Sequence, residues 1–162
     1  MPAGTFWLQG ATGVPNNPRL PVRVVRAAVP AGRPEAAEAI LAERGWPPAW
    51  RDGIFPYVHF HTTAHEALAI VRGTVRVQLG GRGGMEMDLA AGDLVVLPAG
   101  TGHCRLRASE DLLVVGAYPP GQEPDERREA DEAELQAHRA RIARLTDPPA
   151  CPASGQAYPR RA

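Results

Sequence analysis

Between Ile54 and Tyr118 the chain is cut into short apolar segments by turn residues at close, regular intervals. Segments 54–61, 66–72, 74–79, 85–89, 94–97, 103–107 and 112–118 all have strand length. The breaks fall at Gly73, at Gly80 to Gly84, at Gly92-Asp93, from Pro98 to Gly102 and from Ser109 to Asp111. Many short strands joined by Gly and Pro turns predict an all-β sandwich or barrel. The Gly80–Gly84 run resembles a phosphate-binding loop only superficially. No helix follows it and no lysine is present, so it reads as a hairpin connection.

The flanks read differently. Residues 5–9 suit a short first strand, and 13–21 form a loop with three prolines and two asparagines. Leu20 to Ala28 is valine-rich and reads as a strand, with Pro21 tolerated near its start. Pro34 to Arg44 reads as a helix, with Pro34 at its first position, Glu35 and Glu38 near its positive end and Gly45 just past its C-terminus. A second helix is predicted at about 131–144, acidic at its start and arginine-rich at its end, packed outside the β-domain. The last 16 residues hold four prolines and predict an extended or mobile tail.

A length of 162 residues fits one domain, with the barrel at about 20–120 and the helix and Pro-rich tail at 121–162. The net charge is zero, which argues against a nucleic-acid surface or a polybasic membrane patch. All 18 basic residues are arginine, so mechanisms that need a lysine amine are excluded. Cys104 and Cys151 are too far apart and too few for a disulfide framework or a zinc ribbon. The N-terminus lacks the charged and apolar regions of a secretory leader, and no apolar run reaches membrane-spanning length. The expected location is cytoplasmic.

Four of the five histidines fall in two clusters. The first reads Gly53-x5-His59-x-His61-x4-Glu66-x6-Gly73, and the second Gly92-x5-Pro98-x-Gly100-x2-His103. Imidazoles with one carboxylate are a ligand set that first-row transition metals prefer. His59 and His61 are two apart and so point to one face of a strand. His65 lies beside Glu66 and competes with His61 as a ligand. Strand alternation favours His61, because His65 and Glu66 would point to opposite faces unless a bulge intervened. The fifth histidine, His138, reads as a solvent-facing helix residue.

These clusters resemble the paired motifs of the cupin superfamily, and all nine fixed Gly, His, Glu and Pro positions agree. The departure is Arg107, where the family often has asparagine. The segments Pro15-Asn16-Asn17-Pro18, Gly45-Trp46, Trp50 to Ile54 and Val114 to Pro119 further resemble a group of uncharacterised bacterial single-domain cupins. The resemblance implies a jelly-roll barrel, or double-stranded β-helix. It also implies a divalent metal (Fe, Mn, Ni or Zn) held by His59, His61, Glu66 and His103. A homodimer is expected, with the N-terminal strand adding to a neighbour's sheet edge.

Arg105 and Arg107 follow His103 at spacing two, so regular alternation puts both on the ligand face. Either would offer a fork for a substrate carboxylate or phosphate. Because arginine is rarely buried unpaired, the expected place for each is a solvated or ion-paired rim. Trp46, Trp50 and Tyr57 are expected to anchor the loop before the first motif, with the lining of a pocket mouth as the alternative. Cys104 reads as a small core residue. Two functional classes remain: a metal-dependent enzyme on a small, anionic molecule (dioxygenase, isomerase or decarboxylase), and a non-catalytic binding or sensing module. No helix-turn-helix is visible, which favours the enzyme.

Overall fold

The computed structural model describes residues 3–161. Nine strands and two helices follow in the order β1 (Gly4–Phe6), β2 (Val22–Val25), α1 (Pro34–Glu43), β3 (Pro48–Asp52), β4 (Glu66–Arg72), β5 (Thr74–Leu79), β6 (Met85–Ala90), β7 (Leu94–Leu97), β8 (His103–Ala108), β9 (Leu113–Ala117) and α2 (Glu132–Arg144). The strands form two antiparallel sheets, one ordered β1-β2-β7-β4-β9-β3 and one ordered β6-β5-β8. This is the predicted all-β architecture of jelly-roll type, with one helix before the main strands and one after.

Side-chain alternation along β4 explains the layering. Leu68 and Ile70 join Val75, Val77 and Leu79 of β5 and Met87 and Leu89 of β6 in a core between the two sheets. Ala67, Ala69 and Val71 point the other way, into a second core with Ala37 and Leu41 of α1, Trp46, Cys151 and Tyr158. The large sheet is therefore covered on both faces, so six consecutive β4 residues are buried.

Helix α1 has only ten residues, too few to be stable alone, so its packing against the sheet sustains it. It ends in a Schellman arrangement: Gly45 N–H donates to the Ala42 carbonyl and Trp46 N–H to the Leu41 carbonyl. That arrangement needs a left-handed residue, which Gly45 supplies at φ 87°. It also drops Trp46 into the core, where its Nε1 donates to the Ala150 carbonyl at 2.8 Å. Helix α2 starts with a reciprocal capping box between Asp131 and Glu134.

Four expectations need correction. Residues 54–61 form single bridges at His59 and Phe60 rather than a strand; the strand lies earlier, at β3, against β9. The Pro-rich tail is not free: the Tyr158 hydroxyl donates to the Pro21 carbonyl, and Arg161 N–H to the Arg19 carbonyl. His138 is buried, edge-on to the fully enclosed Phe60 at 5.5 Å between centroids. Finally, a bulge in β8 leaves Leu106 without a partner on β5, since Arg105 pairs with Val77 and Arg107 with Arg76. The bulge turns Arg107 to the outer, exposed face, so Arg107 does not share the ligand face with His103.

Candidate metal centre

His103 opens β8 and Glu66 opens β4, while His59 and His61 come from the irregular segment after β3. Two reciprocal backbone hydrogen bonds, His59 N–H to the His103 carbonyl and His103 N–H to the His59 carbonyl, join the two motifs. The Gly100 N–H adds a third bond, to the His61 carbonyl at 2.7 Å. One ring nitrogen from each of His59, His61 and His103 can lie within 4.8 Å of the others.

Each imidazole is oriented by a carbonyl. His59 Nδ1 meets the Tyr57 carbonyl at 3.0 Å, His103 Nδ1 the Thr101 carbonyl at 2.8 Å, and His61 Nδ1 the Asp125 carbonyl. A carbonyl only accepts, so each Nδ1 carries a proton and Nε2 is the nitrogen each ring can offer to an ion. Glu66 Oε1 lies 3.3 Å from His103 Nε2 and 3.5 Å from His61 Nε2. Three imidazoles oriented through Nδ1 beside a buried carboxylate fit a first-row divalent ion.

The electrostatics suit that role. Burial pushes His59 down to about 3, so it stays neutral. Burial would also lower His61, but the Glu66 carboxylate outweighs it and the net shift is upward. Burial would raise Glu66, yet its contacts with His103 and His61 hold it well below the usual carboxylate range.

His65 lies elsewhere. Its Nδ1 accepts from Ala99 N–H at 2.9 Å and its Nε2 donates to the Thr146 carbonyl at 3.0 Å, so neither ring nitrogen is free for a metal. Its place is in a clamp on the loop before His103. Asn17 Nδ2 donates to the Ala99 carbonyl, Asn16 N–H donates to the Gly100 carbonyl, and Asn16 Oδ1 accepts from Gly102 N–H. Gly100 sits so close that a Cβ there would meet the Asn16 carbonyl oxygen at 2.6 Å. The Pro15–Pro18 segment and His65 therefore help set the position of His103.

A second support was not visible in the motifs. The stretch after β9 crosses the site, and its Asp125 fixes His61 through its carbonyl. The Asp125 carboxylate accepts from Thr62 N–H and from the Thr62 hydroxyl, and Arg127 Nε donates to it at 2.9 Å. Burial opposes ionisation of Asp125, but these bonds hold its carboxyl well below the usual range.

His59, His61, Glu66 and His103 face a cavity of about 520 Å³. Its other walls include Trp50, Ile54, Phe55, Leu68, Tyr118 and Arg105. Arg105 is half-buried there and forms no ion pair or side-chain hydrogen bond among the described residues. Arg107 is exposed on the outer face of β8, whereas Arg105 lines the cavity itself. Tyr57 does not line it. Its ring stacks on Phe55 at 5.0 Å and lies under the Arg128 guanidinium, so it anchors this loop. Trp50 lines the cavity, and Trp46 is a core residue. Cys104 is buried on the outward face of β8, opposite Gln78.

The chain is similar to several known proteins. A cupin-domain family model matches residues 51–118. The uncharacterized protein YjlB of Bacillus subtilis (strain 168) is 37% identical over 133 residues, spanning 78% of this chain and 79% of that protein. Among solved structures, a DUF861 family protein of Thermotoga maritima is 21% identical, over 59% of this chain and 96% of that one, with a TM-score of 0.36. A deletion mutant of Bacillus subtilis oxalate decarboxylase is 15% identical, over 82% of this chain and 37% of that one, with a TM-score of 0.40. The two motifs, the facing antiparallel sheets and the YjlB relative converge on one assignment: the chain belongs to the cupin family.

Proposed function

We propose that this cupin is a metal-dependent enzyme acting on a small organic anion. The observation that carries the proposal is the half-buried Arg105 guanidinium, without a carboxylate partner among the described residues, in the cavity that the histidine cluster faces. His59, His61, Glu66 and His103 are the proposed ligands. Four protein ligands leave one or two positions open on a five- or six-coordinate ion. A divalent Fe, Mn, Ni or Zn ion there would supply Lewis-acid polarisation or a site for dioxygen, as dioxygenation, isomerisation or decarboxylation requires.

The remaining roles belong to the chain. Arg105 and His103 share the inner face of β8, about 7 Å apart along the strand. Arg105 would take the substrate carboxylate in a two-pronged hydrogen bond. Ile54, Phe55 and Leu68 would shape the apolar part of the substrate and exclude water from it.

The test is turnover by metal-loaded protein across a panel of small carboxylic acids, followed by product analysis and oxygen uptake. Loss of a charge-assisted hydrogen bond costs about 1.5–3 kcal/mol. Arg105→Ala is therefore expected to raise KM for an accepted acid by about 10- to 100-fold. An unchanged KM would move the anion away from Arg105. Tight binding of a panel member with no turnover would favour the sensing module. Pairing of two copies is part of the proposal, because β1 ends the large sheet as an edge available to a neighbour. Light scattering at the monomer mass would remove that part.

A further inference from the structure

We infer that Trp50 and Tyr118 form a relay that holds Glu66 as a one-oxygen ligand, which makes Tyr118 a positioning residue for the metal. The inference rests on the metal-site reading above.

The direction of the relay follows from its chemistry. Trp50 Nε1 lies 2.8 Å from the Tyr118 hydroxyl, and that hydroxyl lies 3.0 Å from Glu66 Oε2. An indole N–H can only donate, so the Tyr118 oxygen accepts from Trp50. The single hydroxyl proton is then left for Glu66 Oε2. The other carboxylate oxygen, Oε1, is the one directed at His61 Nε2 and His103 Nε2. The two Glu66 oxygens thus have separate partners, and chelation by both would set the ion in competition with the Tyr118 hydroxyl for the lone pairs of Oε2. A carboxylate held to one contact leaves one more position open on the ion than a chelating one.

The fold makes room for this relay at one residue. Trp50 of β3 pairs with Gly116 of β9. A Cβ at Gly116 would come within 2.1 Å of the Trp50 indole ring. The ring can lie across β9 and reach Tyr118 only because that position has no side chain. Tyr118 follows directly after β9, whose Ala117 pairs with Ala67, the neighbour of Glu66. The adjacent strands therefore bring the hydroxyl and the carboxylate into register.

The experiment loads wild type, Tyr118→Phe, Trp50→Phe and Gly116→Ala with Co(II). It measures the dissociation constant by competition with a chelator and records the visible spectrum. Replacing a group that orients a metal ligand typically weakens affinity by about 10- to 100-fold. Tyr118→Phe is expected to weaken Co(II) binding by that amount and to change the spectrum as Oε2 is released to the metal. Gly116→Ala is expected to move both readouts the same way although it removes no polar group, with Trp50→Phe showing a smaller change. A Tyr118→Phe protein with the wild-type constant and spectrum would overturn the relay while leaving the metal site standing. A wild type that binds no Co(II) would overturn the metal site and the relay together. If Tyr118→Phe does not fold, Trp50→Phe decides: a wild-type spectrum in that variant overturns the inference.

Discussion

Replacing His103 by alanine is expected to strip the metal from the protein while leaving the fold intact. Structural zinc sites gain about 10–16 kcal/mol from about four ligands, so one ligand is worth about 3 kcal/mol, or about a hundred-fold in affinity. The backbone pairing of His103 with His59 does not depend on the side chain and would survive in the variant. The cost to the fold includes the lost hydrogen bond to the Thr101 carbonyl, about 1 kcal/mol, and the lost contact with Glu66, where His61 remains as a partner. Metal content by mass spectrometry and a thermal melt of the same sample check both halves. His138→Gln serves as the control, because His138 packs on Phe60 and Arg141 rather than in the cluster. Equal metal content in His103→Ala and wild type would remove His103 from the ligand set.

Acidification is expected to act on the metal and on the fold through different histidines. For the metal, the sensitive group is His61, whose net upward shift means that a proton competes for Nε2 at a higher pH than at an ordinary imidazole. Below that point affinity should fall by about tenfold per pH unit. At pH 5.5, binding should be at least about tenfold weaker than at pH 8. His59, pushed down to about 3, does not take part in this range. Chelator competition across pH 5 to 8 reads the effect, and a flat profile down to pH 4 would argue against histidine ligation.

For the fold, two buried histidines are sensitive in metal-free protein: His59, pushed down to about 3, and His65, which burial pushes down to about 4. Between the ordinary value of His65 and 4 the unfolded chain binds the extra proton and the folded chain does not. The His65 contribution is therefore present above about pH 6.5 and is lost as pH falls towards 4, up to about 3 kcal/mol. His61 runs the other way in metal-free protein: its raised value adds stability at low pH that is lost as pH rises. Urea unfolding of metal-free protein at pH 7 and 4.5 is expected to show a net loss at the lower pH. His65→Gln should remove a share of the difference comparable to the one His59 carries, and an unchanged difference in that variant would assign the loss to other groups.

The sequence made some parts of this protein legible and hid others for physical reasons. Strands β4, β5 and β7 lie where apolar runs between glycines put them, because buried strands need such runs. The first helix was readable from Pro34, Gly45 and its acidic start, and the second from its charge order. Strand β3 was not, since four of its five residues are exposed and pairing with β9, rather than an apolar pattern, makes it a strand. Arg107 was misplaced because a bulge at Leu106 reverses the alternation beyond it. His138 looked exposed because a charged helix gives no local sign that Phe60 will cover its ring. Asp125 was invisible as a support because it lies 64 positions from His61, and only the fold brings its carbonyl to Nδ1. The Pro15–Pro18 segment carries part of the family resemblance, but its grip on the His103 loop is a tertiary fact.

The most direct test of the account is the metal content of wild-type protein purified near pH 8 without chelator, with the ion located by anomalous scattering. About one divalent transition-metal ion per chain is predicted, centred among His59, His61, Glu66 and His103. A folded protein that is purified without metal and takes up none of Fe, Mn, Ni or Zn would contradict it.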